Sequence, residues 1–266
     1  MTAPPLLSLH DRDEIEAFLR RDPLRHVYAL GDLDPFFWER TVWYGLREGG
    51  QLREVCLLYL SVDRPTLLGF ASGPLERMRT LLRLAVPALP RAFHAQLTAG
   101  CDETLTPGWA LTPRGRFLRM GLTDPAAVQH SPTHDVVQLT ANDLHALRAL
   151  YARAYPDNFF DPRMLATGEY FGIREGDELL AVAGIHVYSP ATRVAALGNV
   201  TTHPDHRRRG LAADATAALC RHLLLTVDQI ALNVHATNTA AVACYQTLGF
   251  EPVLEYFEFL ADPERD

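Results

Sequence analysis

The sequence predicts an α/β fold of the α+β type, in which two copies of a mixed, mostly antiparallel sheet are flanked by helices. A nine-residue segment occurs twice, as YGLREGGQL at residues 44–52 and as FGIREGDEL at residues 171–179, with five identities. Each copy is followed by an apolar run typical of a strand and preceded by a segment whose apolar residues have helical spacing. A chance likeness between two common turn sequences is the alternative interpretation.

The elements around the two segments occur in the same order. Glu-Gly-Gly and Glu-Gly-Asp join extended stretches, which is typical of hairpin turns that need positive φ. Thr140 and Asp143 form a capping-box pattern at the start of one helix. The expected helices cover residues 11–21, 75–86, 140–155 and 211–226, and the strands expected after the hairpins cover residues 66–71 and 194–202.

The repeat divides the chain into two domains. A length of 266 residues favours two domains of ordinary size. The segment TDPAAVQHSPT contains two prolines and few apolar residues, so it is the predicted linker. We therefore expect a first domain at residues 1–122, a linker at residues 123–133 and a second domain at residues 134–266.

Composition excludes several classes of function. The net charge of -7 argues against a nucleic-acid binder and favours cationic partners such as amines. No targeting segment and no run of eighteen apolar residues occurs, so we expect a cytoplasmic protein without membrane contact. The four cysteines are far apart and form no C-x-x-C pair, which predicts neither a disulfide framework nor a metal site.

The loop after the strand at residues 194–202 has the composition of an anion site. Pro204 ends the strand, and Gly210 permits a tight turn before the next helix. The first N–H groups of that helix can bind a diphosphate, and Arg207, Arg208 and Arg209 add charged donors. The alternative interpretation is a solvated basic loop that caps an ordinary helix.

A second element follows the strand expected at residues 229–235. It reads Asn238-x-x-Ala241-x-x-x-Tyr245-x-x-x-Gly249-Phe250 and begins 31 residues after Arg207. Asn238 can cap the start of a helix and Gly249 can end it. A tyrosine on an apolar helix face, such as Tyr245, is more often a core residue than a catalytic one.

Together the two elements resemble the acetyl-CoA site of the GNAT acetyltransferase superfamily, over residues 135–260. The resemblance implies an acetyl-CoA-dependent N-acetyltransferase that acts on an amine of a small molecule or peptide. It also implies that Tyr245 protonates the departing CoA thiolate and that Asn238 lines the acetyl-CoA. The groups implied to bind the pantetheine arm and acetyl carbonyl are the backbones of Val200, Thr201 and Thr202, and those implied to bind the pyrophosphate belong to Arg207, Arg208, Arg209, Gly210, Leu211 and Ala212.

One departure from the family concerns the group that deprotonates the amine. Family members often carry a carboxylate at the positions that correspond to Gly198 and Asn199, and this chain has none there. Glu169, His186 and His235 remain as candidate bases, although lone strand histidines are more often structural. The departure motivates the main alternative, a CoA-binding sensor or scaffold without catalysis. A longer acyl group or an alcohol acceptor is a third hypothesis.

The first copy lacks the residues that carry the resemblance. Its strand runs through Ser72-Gly73-Pro74 directly into a helix, without an Arg-x-x-Gly-x-Ala loop. We therefore expect a degenerate GNAT-like domain that does not bind CoA. Residues 157–160, which read DNFF, are the expected neighbourhood of the acceptor, whereas the alternative is that these aromatic side chains only hold a helix against the sheet.

Overall fold

A computed structural model describes residues 7–60, 64–129 and 133–264. The chain forms two compact units. Unit 1 comprises the chain up to Arg119, together with His235–Thr237 and the chain from Leu254 onward, and unit 2 comprises Met120–Val234 and Asn238–Val253. The two units are described separately below.

Unit 1 is built on a mixed sheet in which strands β1 to β5 are adjacent in chain order. All neighbours are antiparallel except β4 and β5, which are parallel. The buried face of α4 packs in the core of this unit with side chains from the sheet. The elements are β1 Leu7–Leu9, α1 Arg12–Leu19, α2 Val27–Gly31, α3 Pro35–Trp38, β2 Thr41–Glu48, β3 Gln51–Tyr59, β4 Thr66–Gly69, α4 Leu75–Ala85, β5 Phe93–Leu97 and β6 Trp109–Leu122, the last of which ends in unit 2.

Unit 2 repeats this topology. Strands β7 to β11 are adjacent in chain order, again with only the last pair parallel. The predicted repeat therefore corresponds to one strand order that occurs twice. The predicted fold class, mixed and mostly antiparallel sheets flanked by helices, is also confirmed. The elements are β7 Val136–Gln138, α5 Leu144–Ala154, β8 Phe171–Glu175, β9 Glu178–Ser189, β10 Val194–Thr202, α6 Leu211–Leu223, β11 Gln229–His235, α7 Thr239–Thr247 and β12 Phe250–Pro263, the last of which continues into unit 1.

Both predicted hairpins form at the repeated segment. In the first, Gly49 and Gly50 lie between β2 and β3 with φ of 57° and 79°. In the second, Gly176 has φ of 60° at the turn between β8 and β9. Residues with side chains rarely adopt this left-handed conformation, so the glycines place the two turns.

Side-chain caps begin two of the four predicted helices. Asp11 accepts hydrogen bonds from the N–H groups of Asp13 and Glu14 at the start of α1. The capping box of Thr140 and Asp143 is present, although it opens a short 3-10 helix that continues into α5. Among the described residues, no helix has the length and apolar character needed to cross a bilayer.

The C-terminal strand differs from the predicted domain boundaries. Residues 134–266 were expected to form one domain, but the chain from Leu254 onward belongs to unit 1. There β12 pairs antiparallel with β5, from Phe257 opposite Leu97 to Ala261 opposite Phe93. The pairing completes the sheet of unit 1, because it covers the edge of β5 that β4 leaves open.

The predicted linker also differs, because its described part packs on unit 2. Gly249 O accepts hydrogen bonds from the N–H groups of both Thr123 and Asp124. Pro125–Gln129 form a 3-10 helix, in which Val128 is buried and its carbonyl accepts a bond of 2.7 Å from Arg221. Residues 130–132 of the predicted linker lie outside the described residues. Pro125 thus lies at the start of a short folded segment.

The segment that leads into α4 contacts a buried carboxylate of its own unit. Both carboxylate oxygens of Glu54 accept from the N–H of Ser72, at 3.0 and 3.2 Å. Glu54 is 0% exposed, and this burial raises its pKa to about 7 against the opposing effect of the Ser72 bonds. In the repeat, this segment corresponds to the loop between β10 and α6 of unit 2.

Glu54→Gln is expected to reduce the loss of stability as pH rises. The folded-state pKa of about 7 lies above the ordinary 4.5, so the folded protein retains a proton that the unfolded chain releases in this window. The free energy of unfolding should then fall between pH 4.5 and pH 7, by up to about 1.4 kcal/mol per unit from this residue. Urea unfolding of both proteins across that range measures the difference, and parallel curves would contradict the prediction.

Candidate active site

The parallel ladder of unit 2 ends before its two strands do. Val194 lies opposite Gln229, and the register continues only to Leu197 opposite Leu232. Strand β10 nevertheless extends to Thr202 and remains paired with β9 on its other side. Among the described residues, β10 beyond Leu197 therefore pairs with β9 but no longer with β11.

A β-bulge accompanies this change in pairing. The register between β10 and β9 shifts between Gly198 and Thr201, and Asn199 adopts a φ of 55°. The left-handed conformation is uncommon for residues with side chains, although asparagine tolerates it best. Tyr151 of α5 donates a bond of 3.0 Å from its hydroxyl to the carbonyl of Asn199. A hydrogen bond from helix α5 thus stabilises the bulge.

The side-chain amide of Asn199 is buried in a hydrogen-bond network. Its Nδ2 donates to the carbonyl oxygen of Phe159 at 3.1 Å and to the hydroxyl oxygen of Tyr170 at 3.0 Å. Tyr170 in turn donates to the carbonyl of Ile185 at 3.2 Å. The network uses both amide protons, so it fixes the orientation of the amide as well as the backbone of the bulge.

His186 of β9 lies directly against this bulge. Its Nε2 is 3.3 Å from Oδ1 of Asn199. A Cβ placed on Gly198 would lie 2.2 Å from the imidazole Cδ2, so the ring occupies space that any side chain at position 198 would need. Burial lowers the pKa of His186 below 6.5, and the bond to Asn199 opposes that effect. The ring is accordingly neutral near pH 7.

Two aromatic side chains from residues 157–160 contact this network. Phe159 is 69% exposed and meets the imidazole of His186 edge-on, with the ring centroids 5.9 Å apart. Phe160 packs against Tyr151 and Tyr170, at 5.3 and 5.7 Å between centroids. Phe160 therefore supports the network, in agreement with the packing interpretation, whereas Phe159 remains accessible.

The loop from β10 to α6 has the predicted backbone form. Gly210 adopts φ of 80° as the N-cap of α6 and supplies no side-chain cap. A Cβ at Gly210 would meet nothing within 4 Å, so open space lies beside the helix N-terminus. The helix N-terminus also carries the positive end of the helix dipole, which favours an anion there.

The arginines of this loop are exposed. Arg207, Arg208 and Arg209 all lie at the surface, and Arg208 has a φ of 63°. Nη1 of Arg209 is 2.7 Å from Nδ1 of His206. His203, at the end of β10, caps the short turn of this loop by accepting from the N–H of Asp205 at 3.3 Å. The turn thus begins at a buried histidine and ends in cationic side chains.

The second predicted element forms the helix α7. Asn238 Oδ1 accepts from the N–H of Ala241 at 3.2 Å, which confirms its capping role. Gly249 ends the element with φ of 81°. Tyr245 is 8% exposed, and its ring lies 6.0 Å from that of Phe250 between centroids. Tyr245 is therefore largely a buried residue whose ring packs under the end of the helix.

The three candidate bases have different surroundings. Glu169 is buried with Oε2 at 3.5 Å from Nε2 of His222, near the C-terminus of α6. That end lies roughly 16 Å along the helix from Leu211, at 1.5 Å per residue. His235 belongs to unit 1, where its ring contacts Phe117 at 4.9 Å between centroids. Only His186 lies at the bulge.

Sequence reasoning did not identify Tyr151 and Tyr170 as parts of the site. The sequence indicated Asn199 only as a position at which a carboxylate is missing. A glycine inside an apolar strand, followed by an asparagine, is a known sign of a bulge and could have indicated one here. No group of three or more His, Cys, Asp or Glu side chains in the described residues is arranged to hold a metal ion.

Comparison with protein-family models gives a match in the second half of the chain. Residues 136–250 match the acetyltransferase (GNAT) family. The match covers β7 to the start of β12, including the bulge, the loop before α6 and helix α7. This part of the chain is therefore similar to GNAT acetyltransferases.

Comparison with solved structures gives likenesses over nearly the whole chain. A Drosophila protein has 18% identity and a TM-score of 0.70, covering 96% of this chain and 97% of its own. A GNAT-family acetyltransferase from Novosphingobium aromaticivorans has 21% identity and a TM-score of 0.58, with 91% and 99% covered. A tandem GNAT protein from the clavulanic acid biosynthesis pathway has 16% identity and a TM-score of 0.53, with 98% and 99% covered. These likenesses concern the fold. Comparison with curated proteins gives no match.

Asn199→Ala is expected to be less stable than Asn199→Gly. Both variants lose the amide network, but alanine must also adopt φ near 55°, which costs about 1 kcal/mol or more. In an ordinary strand the order is the reverse, because glycine is destabilising there by about 0.5–1 kcal/mol relative to alanine. Denaturant unfolding of the pair measures the difference, and a more stable alanine variant would show that residue 199 does not impose the bulge.

Proposed function

We propose that unit 2 transfers an acetyl group from acetyl-CoA to an amine of a small molecule or peptide. The observation that carries the proposal is the end of the pairing between β10 and β11 at Leu197, shortly before the N-terminus of α6. A thioester needs hydrogen-bond donors at its carbonyl oxygen, and a diphosphate needs a positive site. The edge of β10 beyond Leu197 and the helix N-terminus would meet these two needs within one short stretch of chain.

The acetyl-CoA is proposed to lie along this edge. Backbone groups of Val200, Thr201 and Thr202 would pair with the pantetheine arm and donate to the acetyl carbonyl. The first N–H groups of α6, at Leu211 and Ala212, would bind the pyrophosphate. Support comes from the absence of a side-chain cap at Gly210 and from the open space beside it. Arg207, Arg208 and Arg209 would add charge at the rim.

Helix α7 is proposed to complete the donor site. Asn238, which caps the helix, would line the acetyl-CoA, and the Tyr245 hydroxyl would protonate the thiolate that leaves. A phenol remains protonated at neutral pH and can give up its proton when a basic thiolate forms beside it. The burial of Tyr245 supports this role, because a site that excludes water strengthens the transfer.

The acceptor is proposed to reach the acetyl group beside Phe159. This side chain is exposed at the point where β10 bulges and where His186 is half-buried. A net charge of -7 favours cationic acceptors, and primary amines are cationic at neutral pH. An apolar ring at the entrance would contact the carbon skeleton of the acceptor.

Unit 1 is proposed to be a degenerate GNAT-like copy that binds no CoA. It shares the strand order of unit 2, including a parallel last pair. Its loop before α4 is Ser72-Gly73-Pro74, and the buried Glu54 carboxylate already accepts from the Ser72 N–H. A diphosphate brought there would meet a carboxylate instead of free donors.

Transfer is tested with isotopically labelled acetyl-CoA. The protein is incubated with a mixture of primary amines, alcohols and short peptides, and mass spectrometry identifies the products. The chain has no lysine, so its own side chains supply no competing amine. An acetylated amine supports the proposal, an acetylated alcohol favours the other acceptor class, and CoA binding without transfer favours the sensor.

The number of CoA sites is tested by calorimetric titration of the protein with CoA. We expect one site per chain, and two sites would contradict the proposal that unit 1 binds no CoA.

Gly210→Asp should abolish CoA binding, whereas Gly210→Asn should weaken it much less. Asparagine and aspartate have the same shape, both tolerate positive φ and both cap helices well, so only the charge differs. A carboxylate at this position repels the pyrophosphate, but it should not destabilise the fold. Calorimetric titration with CoA measures affinity, and thermal melting checks the fold. Equal CoA affinities in the two variants would indicate that this loop only caps the helix and does not bind the pyrophosphate.

Tyr245→Phe should lower kcat while CoA affinity stays nearly unchanged. The variant retains the ring that packs near Phe250 but lacks the acidic hydroxyl. Loss of a general acid typically costs about 100-fold or more in rate. A residue that only packs would instead lose at most about 0.5–1.5 kcal/mol of stability with the hydroxyl. Steady-state kinetics and melting separate the outcomes, and full activity in the variant would remove the acid role.

A further inference from the structure

The hydrogen bonds around Asn199 determine the tautomer of His186. The carbonyl oxygen of Phe159 can only accept, so the amide atom that faces it, at 3.1 Å, must be the nitrogen. The hydroxyl of Tyr170 donates to Ile185, so it accepts the second amide proton. The remaining amide atom, which faces His186, is therefore Oδ1 and can only accept.

Because Oδ1 only accepts, Nε2 of His186 must carry a proton. The distance between the two atoms is 3.3 Å. A neutral imidazole has one protonated nitrogen, so the basic lone pair lies on Nδ1. In the described part of the chain, the bond to Asn199 is the only hydrogen bond of this ring that the structure defines. The ring is half-buried, so part of it remains accessible.

The His186 ring lies beside the start of the proposed acyl-binding stretch. It fills the space over Gly198, where a Cβ would lie 2.2 Å from the ring. Gly198 is two residues before Val200, where that stretch begins. His186 therefore approaches the stretch from the adjacent strand β9.

We propose that His186 is the general base of the reaction and that Asn199 positions it. This inference rests on the proposed acetyl transfer to an amine. Nδ1 takes one proton from the acceptor ammonium, and the free amine then attacks the thioester carbon. The C–S bond breaks, and the thiolate takes a proton from Tyr245. The nitrogen of the new amide loses its second proton to restore that tyrosine, and His186 releases its own proton to solvent.

The surroundings of His186 keep its imidazole uncharged, so that the ring can accept a proton. Burial lowers its pKa below 6.5, with the Asn199 bond acting in the opposite direction. The groups packed around it are Asn199 from β10, the ring of Phe159 and, behind Asn199, the hydroxyl of Tyr170. Burial raises the pKa of Tyr170, so that neighbour stays neutral. The imidazole therefore carries no charge at pH 7 and can receive the proton.

The first test is a nitrogen-15 NMR measurement on the wild-type protein with labelled histidine. The chain has eleven histidines, and the signal that disappears in His186→Gln, or that shows contacts with the Gly198 α-protons, assigns the residue. We expect the Nε2–H tautomer and a pKa below 6.5. A ring protonated on Nδ1 alone, or a pKa above 6.5, would overturn the inference. This measurement needs no acceptor, so it is independent of the proposed function.

The second test is the pH dependence of kcat/KM, with phenethylamine, spermidine and a peptide with a free α-amine as probes. With His186 as base, the wild-type profile should be flat between the pKa of His186 and that of the amine. The His186→Gln variant should lose about 100-fold or more at pH 7 and rise tenfold per pH unit, because only the free amine then reacts. Glu169→Gln is the matched control and should keep the wild-type profile.

The outcomes of these tests separate the two proposals. A wild-type profile in His186→Gln, with the fold intact by melting, would reject His186 as the base while leaving acetyl transfer standing. Failure of CoA to bind the wild type would reject the proposed function itself. Loss of the flat region in Glu169→Gln would assign the base to Glu169. If His186→Gln does not fold, the tautomer and pKa of the wild type decide alone.

Discussion

The side-chain amide of Asn199 connects the backbone of the bulge to the imidazole of His186. Its two protons bind Phe159 and Tyr170, and its oxygen faces His186. The same residue adopts φ of 55°, which displaces β10 from regular pairing with β9 just beyond the point where its ladder with β11 ends. The buried side chain of Asn199 therefore stabilises the bulge in β10 and also fixes the orientation of the His186 imidazole.

This arrangement has a cost that the surrounding residues offset. A side chain in the left-handed region is strained, and a buried amide must have its hydrogen bonds satisfied. Tyr151 and Tyr170, which are 48 and 29 residues away in sequence, bond to Asn199 through their hydroxyl groups. Tyr151 donates to its backbone carbonyl, and Tyr170 accepts from its side-chain amide. The packed side chains of Tyr151 and Tyr170 therefore stabilise the strained conformation of the bulge. Strained residues persist in proteins where the surrounding structure stabilises them in this way.

Local residue chemistry was enough to predict much of the fold and the backbone form of the elements around the candidate site. The bounds of β10 and β11 follow from apolar runs that end at polar or proline residues, and Gly210 and Asn238 mark helix starts by their own conformational preferences. The bulge network could not be predicted, because it depends on partners distant in sequence. The same holds for β12, which leaves unit 2 to pair with a strand about 160 residues earlier, as in the bond between Gln96 and Glu258.

The two units share a strand order but differ at the segment before the long helix. In unit 2, β10 leads through Gly210 to the N-terminus of α6, which has no side-chain cap. In unit 1, the N–H of Ser72 in the corresponding segment already donates to the buried Glu54. An internal acceptor of this kind satisfies a donor that a ligand would otherwise use. The proposed difference in anion binding therefore depends on a few residues next to the helix, while the strand order stays the same.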